Sequence, residues 1–171
     1  NRIEKRSPLL YYYDSKVTVD NYLDSIHTLI DHPMTGLEFY RLIVPIRPFL
    51  KDIHCGVGMS QETIDRIFAH DDIIPFVVAW INDKAYIRNC DVEKETLTPG
   101  TELLSINGIK TSDIYKNMLG MMPNDGYSSQ YAEHLVNSNF RYSYHIMHGM
   151  RSLYTLQFID ENKTVKKIIV S

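Results

Sequence analysis

Apolar residues in the N-terminal part of the chain recur at three- and four-residue spacing, the pattern of a helix with one buried face. The first such run begins near Thr18. It ends before Pro33, because the residue that precedes a proline avoids helical backbone angles. Its apolar positions are Val19, Tyr22, Leu23, Ile26, Leu29 and Ile30. We predict a first helix here, preceded by an extended lead-in over residues 1–16.

Two further helices are predicted from their start signals. Thr35 and Glu38 form a capping box, in which each side chain bonds the other residue's backbone amide. We expect this helix to run to about Leu50, with two prolines distorting its end. Ser60 is a good N-cap for a third helix that reaches about Ala69.

Beyond residue 72 the apolar residues alternate with polar ones, as expected of half-buried strands. Turn residues separate the alternating runs, and Asn107-Gly108 is the strongest turn signal among them. The predicted strands cover residues 74–81, 84–90, 101–106, 141–147, 153–159 and 164–170. Two short helices are expected between strands, at residues 111–119 and about 129–136.

This order of elements predicts the α+β class. We expect an N-terminal domain of three helices over residues 1–71. A second domain, residues 72–171, is expected to be a β-sandwich or partial barrel with two short helices.

Two sequence segments together resemble one protein family. Residues 99–108, PGTELLSING, resemble the PDZ signature, with Thr101-Glu102 in place of its usual aspartate. Residues 50–56, LKDIHCG, place an Asp-x-His element at the end of the second predicted helix. This combination, spread over residues 17–171, resembles C-terminal-processing (tail-specific) serine peptidases of the tricorn-core-like branch.

The resemblance implies the non-catalytic N-terminal region of a secreted serine-type endopeptidase. A PDZ-like domain would gate or dock extended polypeptide substrate for a downstream catalytic domain that is absent from this chain. It also implies a periplasmic, extracellular or cell-surface location, with a signal peptide or lipoprotein anchor removed. One alternative is a stand-alone PDZ-like peptide-binding or scaffold module. Another is a self-contained hydrolase that uses His54.

A PDZ-like groove lies between a strand and a helix, where an extended peptide adds as a further strand. The peptide-binding residues expected here are Ile74, Phe76, Val78, Tyr131 and Leu135. The segment that would hold a terminal carboxylate lacks the family's glycines, and Pro75 removes one amide donor. Carboxylate capture therefore stays an open question.

Asp52 and His54 form a possible pair facing the catalytic cleft, because a carboxylate beside an imidazole fixes its tautomer. The alternative is a histidine at a helix C-terminus, favoured by the helix dipole.

The only two cysteines, Cys55 and Cys90, permit one disulfide without requiring it. A turn at residues 124–126 is a further candidate, either a ligand loop or a capped turn.

Composition narrows the function classes. The net charge is −3 and no basic stripe is present, so a nucleic-acid partner is not expected. The longest apolar run is too short to span a bilayer, so we expect no transmembrane segment. His145 and His148 would lie on opposite faces of a strand, so we expect no metal site, and no other motif indicates a cofactor.

Overall fold

The computed structural model describes residues 4–5, 9–54, 56–69, 73–93 and 95–171. The chain divides into two compact units. The first contains Asn1–Ala69 and Gly120–Glu133, and the second contains His70–Leu119 and His134–Ser171. Residues 120–133 therefore belong to the helical unit, although they follow the predicted boundary at residue 71. The α+β class is confirmed.

Four helices are described in residues 16–67 of the first unit. They are α1 (Lys16–Thr28), α2 (Gly36–Ile43), α3 (Ile46–Leu50) and α4 (Gln61–Ile67). The single helix predicted over residues 36–50 is thus two helices, separated at Val44-Pro45. Proline has no amide to continue the helical hydrogen bonds, which accounts for the break.

The helix starts follow the local signals in the sequence. Glu38 N–H donates to the Thr35 hydroxyl at 3.2 Å, and Thr35 N–H donates to the Glu38 carboxylate at 2.8 Å. Ser60 caps α4 by accepting from Thr63 N–H. Ser15 caps α1 by accepting from Thr18 N–H, so this helix begins slightly earlier than predicted.

A small apolar cluster holds the first unit together. Its buried members are Leu10, Val19, Ile46 and Leu50. Tyr22 and Phe49 pack against this cluster and stack on each other, with ring centroids 4.0 Å apart. Tyr11, from the predicted lead-in, also packs against it.

The second unit is built on one open antiparallel sheet of six strands. The strands are β1 (Phe76–Ile81), β2 (Lys84–Cys90), β3 (Glu102–Ile106), β4 (Ile109–Lys110), β5 (Tyr154–Ile159) and β6 (Val165–Val170). Their order is β1-β2-β3-β5-β6, with β4 paired to β3 off this path. Strands β1 and β6 therefore form the edges of the sheet.

The tight turns lie where the sequence predicted them. Asn82 and Asp83 join β1 to β2 with φ of 51° and 62°. Asn107 and Gly108 join β3 to β4 with φ of 52° and 81°. Such left-handed angles favour asparagine, aspartate and glycine, which explains the match.

Three helices are described between β4 and β5. They are α5 (Thr111–Leu119), α6 (Gln130–Ser138) and α7 (Phe140–His148). The strand predicted over residues 141–147 was wrong, because that segment forms α7. Tyr142, Tyr144 and Ile146 alternate as in a strand, but Tyr142 is not buried. The buried residues Phe140, Ser143 and Tyr144 follow the three- and four-residue spacing of a helix, and His145 and Ile146 are buried beside them.

Aromatic side chains dominate the core of the second unit. Phe140 and Tyr144 of α7 lie with ring centroids 5.8 Å apart. Phe76 of β1 is 6.1 Å from Phe140, and Tyr154 of β5 is 6.2 Å from Tyr144. These four side chains fix α7 against the sheet. Among the described residues, no helix has the length and apolar character needed to cross a membrane.

Candidate functional site

Strand β1 is the edge at which the sequence analysis placed the peptide groove. In an antiparallel edge strand, alternate backbone amides and carbonyls point away from the sheet and are available to an added strand. Here two of these groups bond side chains of the same unit. Trp80 N–H donates to Asn137 Oδ1 at 2.7 Å, and Arg141 Nε–H donates to the Phe76 carbonyl at 3.2 Å.

Arg141 and Phe140 make further contacts near the β1 edge. The guanidinium of Arg141 also pairs with the carboxylate of Asp91, which follows β2. The Phe140 ring lies 5.6 Å from Trp80 and is 1% exposed. The side chains of Asn137 and Arg141 bond the backbone of β1, and the Phe140 ring contacts Trp80. Residues 137–141 therefore cover part of this edge.

The predicted groove residues occupy different environments. The side chains of Ile74, Phe76 and Val78 are 0% exposed and belong to the core of the second unit. Leu135 is half-buried in the same unit, whereas Tyr131 is exposed and belongs to residues 120–133 of the first unit. The alternation of apolar residues identified one face of β1. It could not show whether that face lies in the core or lines a groove, because both give the same pattern. Peptide binding by these residues stays a prediction.

The opposite edge strand, β6, exposes apolar and charged side chains. Val165 and Ile169 are 58% and 59% exposed, and Lys167 between them is also exposed. Residues two apart in a strand share a face, so these three side chains form one exposed row. We did not select this row from the sequence, although its alternating pattern was visible there.

The backbone of β6 is oriented by its neighbour β5. Both backbone groups of Thr155 bond Asn107: Asn107 N–H donates to the Thr155 carbonyl at 2.7 Å, and Thr155 N–H donates to Asn107 Oδ1 at 2.9 Å. Thr155 therefore points its amide and carbonyl away from β6. Its register partner is Ile169, and Gln157 pairs with Lys167. The alternation of an antiparallel pair then turns the amides of Val165, Lys167 and Ile169 outward.

A cavity of about 1040 Å³ adjoins β5, β6 and the segment before β3. Its lining includes Lys166, Lys167 and Ile168 of β6. Another lining residue, Lys84, pairs with the carboxylate of Glu102 at 3.0 Å. Hydrogen bonding to Glu102 raises the pKa of Lys84. The positive charge of Lys84 is therefore already paired with a carboxylate.

The Asp-x-His element follows α3. Asp52 Oδ1 accepts a hydrogen bond from the backbone amide of His54 at 2.9 Å. This bond stabilises the turn and does not involve the imidazole ring. The His54 side chain is exposed. A role for this pair facing a catalytic cleft stays a prediction.

Lys51 joins three distant segments of the first unit. Its ammonium lies 2.7 Å from the Asp14 carboxylate and 5.1 Å from the centre of the Tyr127 ring. Its carbonyl accepts from Gly126 N–H at 2.9 Å. The turn at residues 124–126, considered above as a ligand loop or a capped turn, thus docks onto Lys51. No local sequence signal revealed this junction.

The environment of Cys90 offers little for catalysis. Cys90 is a buried free thiol that donates to the Val92 carbonyl at 2.7 Å. Burial raises the pKa of this thiol, which lowers the fraction of reactive thiolate. Cys55 lies outside the described residues. Within the described ranges, no three histidine, cysteine or acidic side chains come close enough to hold a metal ion together.

Comparison with known proteins connects this fold to a protease. No family model and no curated protein matches the sequence. Three solved structures of CPAF, a chlamydial serine protease, match it in three dimensions. The chain shares its fold with part of a serine protease. TM-scores are 0.57 for a serine-to-alanine mutant, 0.56 for mature CPAF and 0.58 for mature CPAF complexed with lactacystin.

The alignments with CPAF cover 89–90% of this chain but only 27–28% of the CPAF chain, at 14% sequence identity. At this identity the likeness concerns the fold alone. The chain therefore has the fold of about a quarter of the CPAF chain.

Proposed function

We propose that this chain is a non-catalytic region of a serine-type endopeptidase, which docks or gates extended polypeptide substrate for a catalytic domain elsewhere in the same polypeptide. The observation that carries the proposal is the CPAF likeness, in which nearly the whole chain matches just over a quarter of a protease chain. The PDZ-like signature at residues 99–108 supports a peptide-docking role. In the structure this segment forms β3 and its turn, in the middle of the sheet.

The finer assignments are part of the same proposal. We place the protein in the tricorn-core-like branch of the tail-specific peptidases, on the basis of the Asp-x-His element and the PDZ-like segment. We also propose export to the periplasm or cell surface, because the peptidases it resembles are exported. Cell fractionation with an antibody against the second unit tests the location, and recovery of the protein in the cytoplasm would contradict it.

The covered β1 edge supports a gating role in particular. A substrate strand that added to β1 beside Ile74, Phe76 and Val78 would use backbone groups, because these side chains are buried. It would have to replace the bonds from Asn137 and Arg141. Substrate access at this edge would therefore be conditional.

The test uses the full natural polypeptide. We expect it to hydrolyse casein and to be labelled by a fluorophosphonate, which reacts with nucleophilic serines. The 171-residue chain alone is expected to do neither. Arg141→Lys in the full polypeptide is expected to change the KM for unfolded protein substrates while fluorophosphonate labelling persists. Lys116→Ala, an exposed position on α5, is the matched control.

The other candidate functions give different results. A full polypeptide that binds peptides but has no serine-reactive site would support the stand-alone module. Casein hydrolysis by the 171-residue chain, lost in His54→Ala, would support the self-contained hydrolase. Either result would contradict the proposal.

A further inference from the structure

We propose that the β6 edge is a binding site for an extended acidic peptide, which adds to the sheet as an antiparallel strand. The inference rests on the proposed peptide-docking role and specifies an edge and a ligand chemistry for it. It concerns a different edge from the predicted groove at β1. The argument depends on the free backbone groups, the exposed side chains and the charge of β6.

The backbone of β6 can accept a strand without rearrangement. The amides of Val165, Lys167 and Ile169 point away from β5, as the orientation of Thr155 requires. No hydrogen bond between β6 and an element other than β5 occurs among the described residues. The two edges of this sheet therefore differ. Among the described residues, side chains form hydrogen bonds to outward backbone groups of β1 but not of β6.

The side chains of β6 define the complementary ligand. Val165 and Ile169 are each more than half exposed, and Ile168 on the other face is half-buried. Lys166 and Lys167 are the second and third residues of the strand, between Val165 and Ile168. Cross-strand neighbours stabilise a sheet when apolar residues meet apolar residues and opposite charges meet. A matching strand therefore has two adjacent acidic residues, flanked on both sides by apolar residues.

The nearby carboxylates do not remove this preference. Asp160 lies 3.9 Å from Lys166 and partly neutralises it. Glu161 is at the turn of the β5–β6 hairpin, beyond the end of the strand. No ion pair connects Lys167 to any residue that the structure describes, and Lys167 also lines the adjoining cavity. Lys167 is therefore the main charge available to an incoming acidic residue.

A second copy of the chain is a poorer occupant. Pairing β6 with the same strand of another molecule would bring four lysines into one short ribbon. Like charges on neighbouring strands are destabilising, and lysines on an edge strand are a common device against self-association. The same lysines favour an acidic partner.

The probe is a capped peptide, Thr-Val-Val-Glu-Glu-Val-Thr, labelled with fluorescein. In antiparallel register its two glutamates lie opposite Lys167 and Lys166. The matched control peptide has two lysines in place of the glutamates. Binding is measured by fluorescence polarisation with the full chain, and the amides are followed by hydrogen exchange in NMR spectra.

We expect the glutamate probe to bind and the lysine probe to bind at least about fivefold more weakly, from the usual size of cross-strand pair energies. Lys167→Glu should reverse this preference, while Lys116→Glu on α5 should leave it unchanged. Saturation with the glutamate probe should slow exchange of the amides of Val165, Lys167 and Ile169 by about tenfold or more, because they become hydrogen-bonded.

Equal affinity for both probes, or no binding at about 1 mM, would overturn the inference. Protection of β1 amides alone would also overturn it, while leaving peptide docking at the predicted groove intact. Protection of β6 amides that depends on protein concentration without probe would identify a second copy as the occupant. None of these results bears on fluorophosphonate labelling of the full polypeptide, which tests the peptidase role separately.

Discussion

The side-chain oxygen of Asn137 accepts a hydrogen bond from the backbone amide of Trp80 at 2.7 Å, although 57 residues separate them in the sequence. An outward amide at a sheet edge normally bonds water or another strand. Here a helix residue satisfies it. The contact both stabilises the fold and restricts access to β1.

Asn137→Ala is expected to lower the free energy of unfolding by about 1–3 kcal/mol, because it leaves the Trp80 amide without its partner. Urea unfolding followed by the fluorescence of Trp80, the single tryptophan, measures this. Asn117→Ala, an exposed position on α5, is the control and should change the value little. A loss for Asn137→Ala no larger than the control's would show that the bond is dispensable.

Gly36 permits a close approach of α2 to α4. A Cβ at this position would lie 2.2 Å from the Thr63 hydroxyl oxygen. Gly36→Ala is therefore expected to destabilise the protein by about 1–3 kcal/mol, the usual cost of overpacking. Thermal unfolding by far-ultraviolet circular dichroism is the measurement.

A second substitution tests the cause of that effect. Thr63→Ala removes the clashing hydroxyl, so the double variant should recover much of the stability lost in Gly36→Ala. Gly56→Ala, where an added Cβ meets nothing within 4 Å, should be nearly neutral. Strictly additive losses in the double variant would rule out the steric explanation.

The alkaline stability of the protein should depend on Tyr144. Burial raises the pKa of its hydroxyl to about 12, although hydrogen bonding to Asn107 partly opposes this. The folded state thus holds the proton more tightly than the unfolded state, whose tyrosines titrate near pH 10. The resulting stability is complete below about pH 10 and falls by about 2–3 kcal/mol as the pH rises to 12.

Denaturant unfolding at a series of pH values from 8 to 12 tests this. In Tyr144→Phe the alkaline decline should be smaller by that amount, because the variant has no proton to lose at this position. Tyr12→Phe, whose parent side chain is 72% exposed, should decline as the wild type does. Parallel curves for wild type and Tyr144→Phe would contradict the assignment.

Cys90 should react slowly with thiol reagents. It is 4% exposed, and burial raises the pKa of its thiol. In a Cys55→Ser variant it is the only cysteine, so the rate of reaction with a chromogenic disulfide reports on Cys90 alone. We expect a rate at least about 100-fold below that in urea, since reaction requires opening of the structure. Rapid reaction of the folded variant would indicate local opening at the end of β2.

Elements with local signals were predictable from the sequence. The Thr35–Glu38 capping box and the Asn82-Asp83 and Asn107-Gly108 turns depend on neighbouring residues, and all three occur as expected. Segment 140–148 was not predictable, because its apolar residues fit both a strand and a helix. Packing of Phe140 and Tyr144 against the sheet decides between them.

The candidate sites show the same limit. Alternation identified the apolar face of β1, but the contacts from Asn137 and Arg141 that cover its edge come from residues far away in the sequence. Similarly, the exposure of β6 depends on which strand ends the sheet, and strand order is not a local property. Long-range pairing therefore decided which edge remained open.

The junction at Lys51 also affects how the polypeptide can be divided. The Gly126 amide donates to the Lys51 carbonyl, and the Lys51 ammonium lies over the Tyr127 ring. The first unit is therefore assembled from two separate stretches of sequence. Cutting the polypeptide once, at residue 71, would leave Lys51 on one piece and Gly126 on the other. Either piece expressed alone would lack part of that unit, whereas mixing the two pieces could restore it.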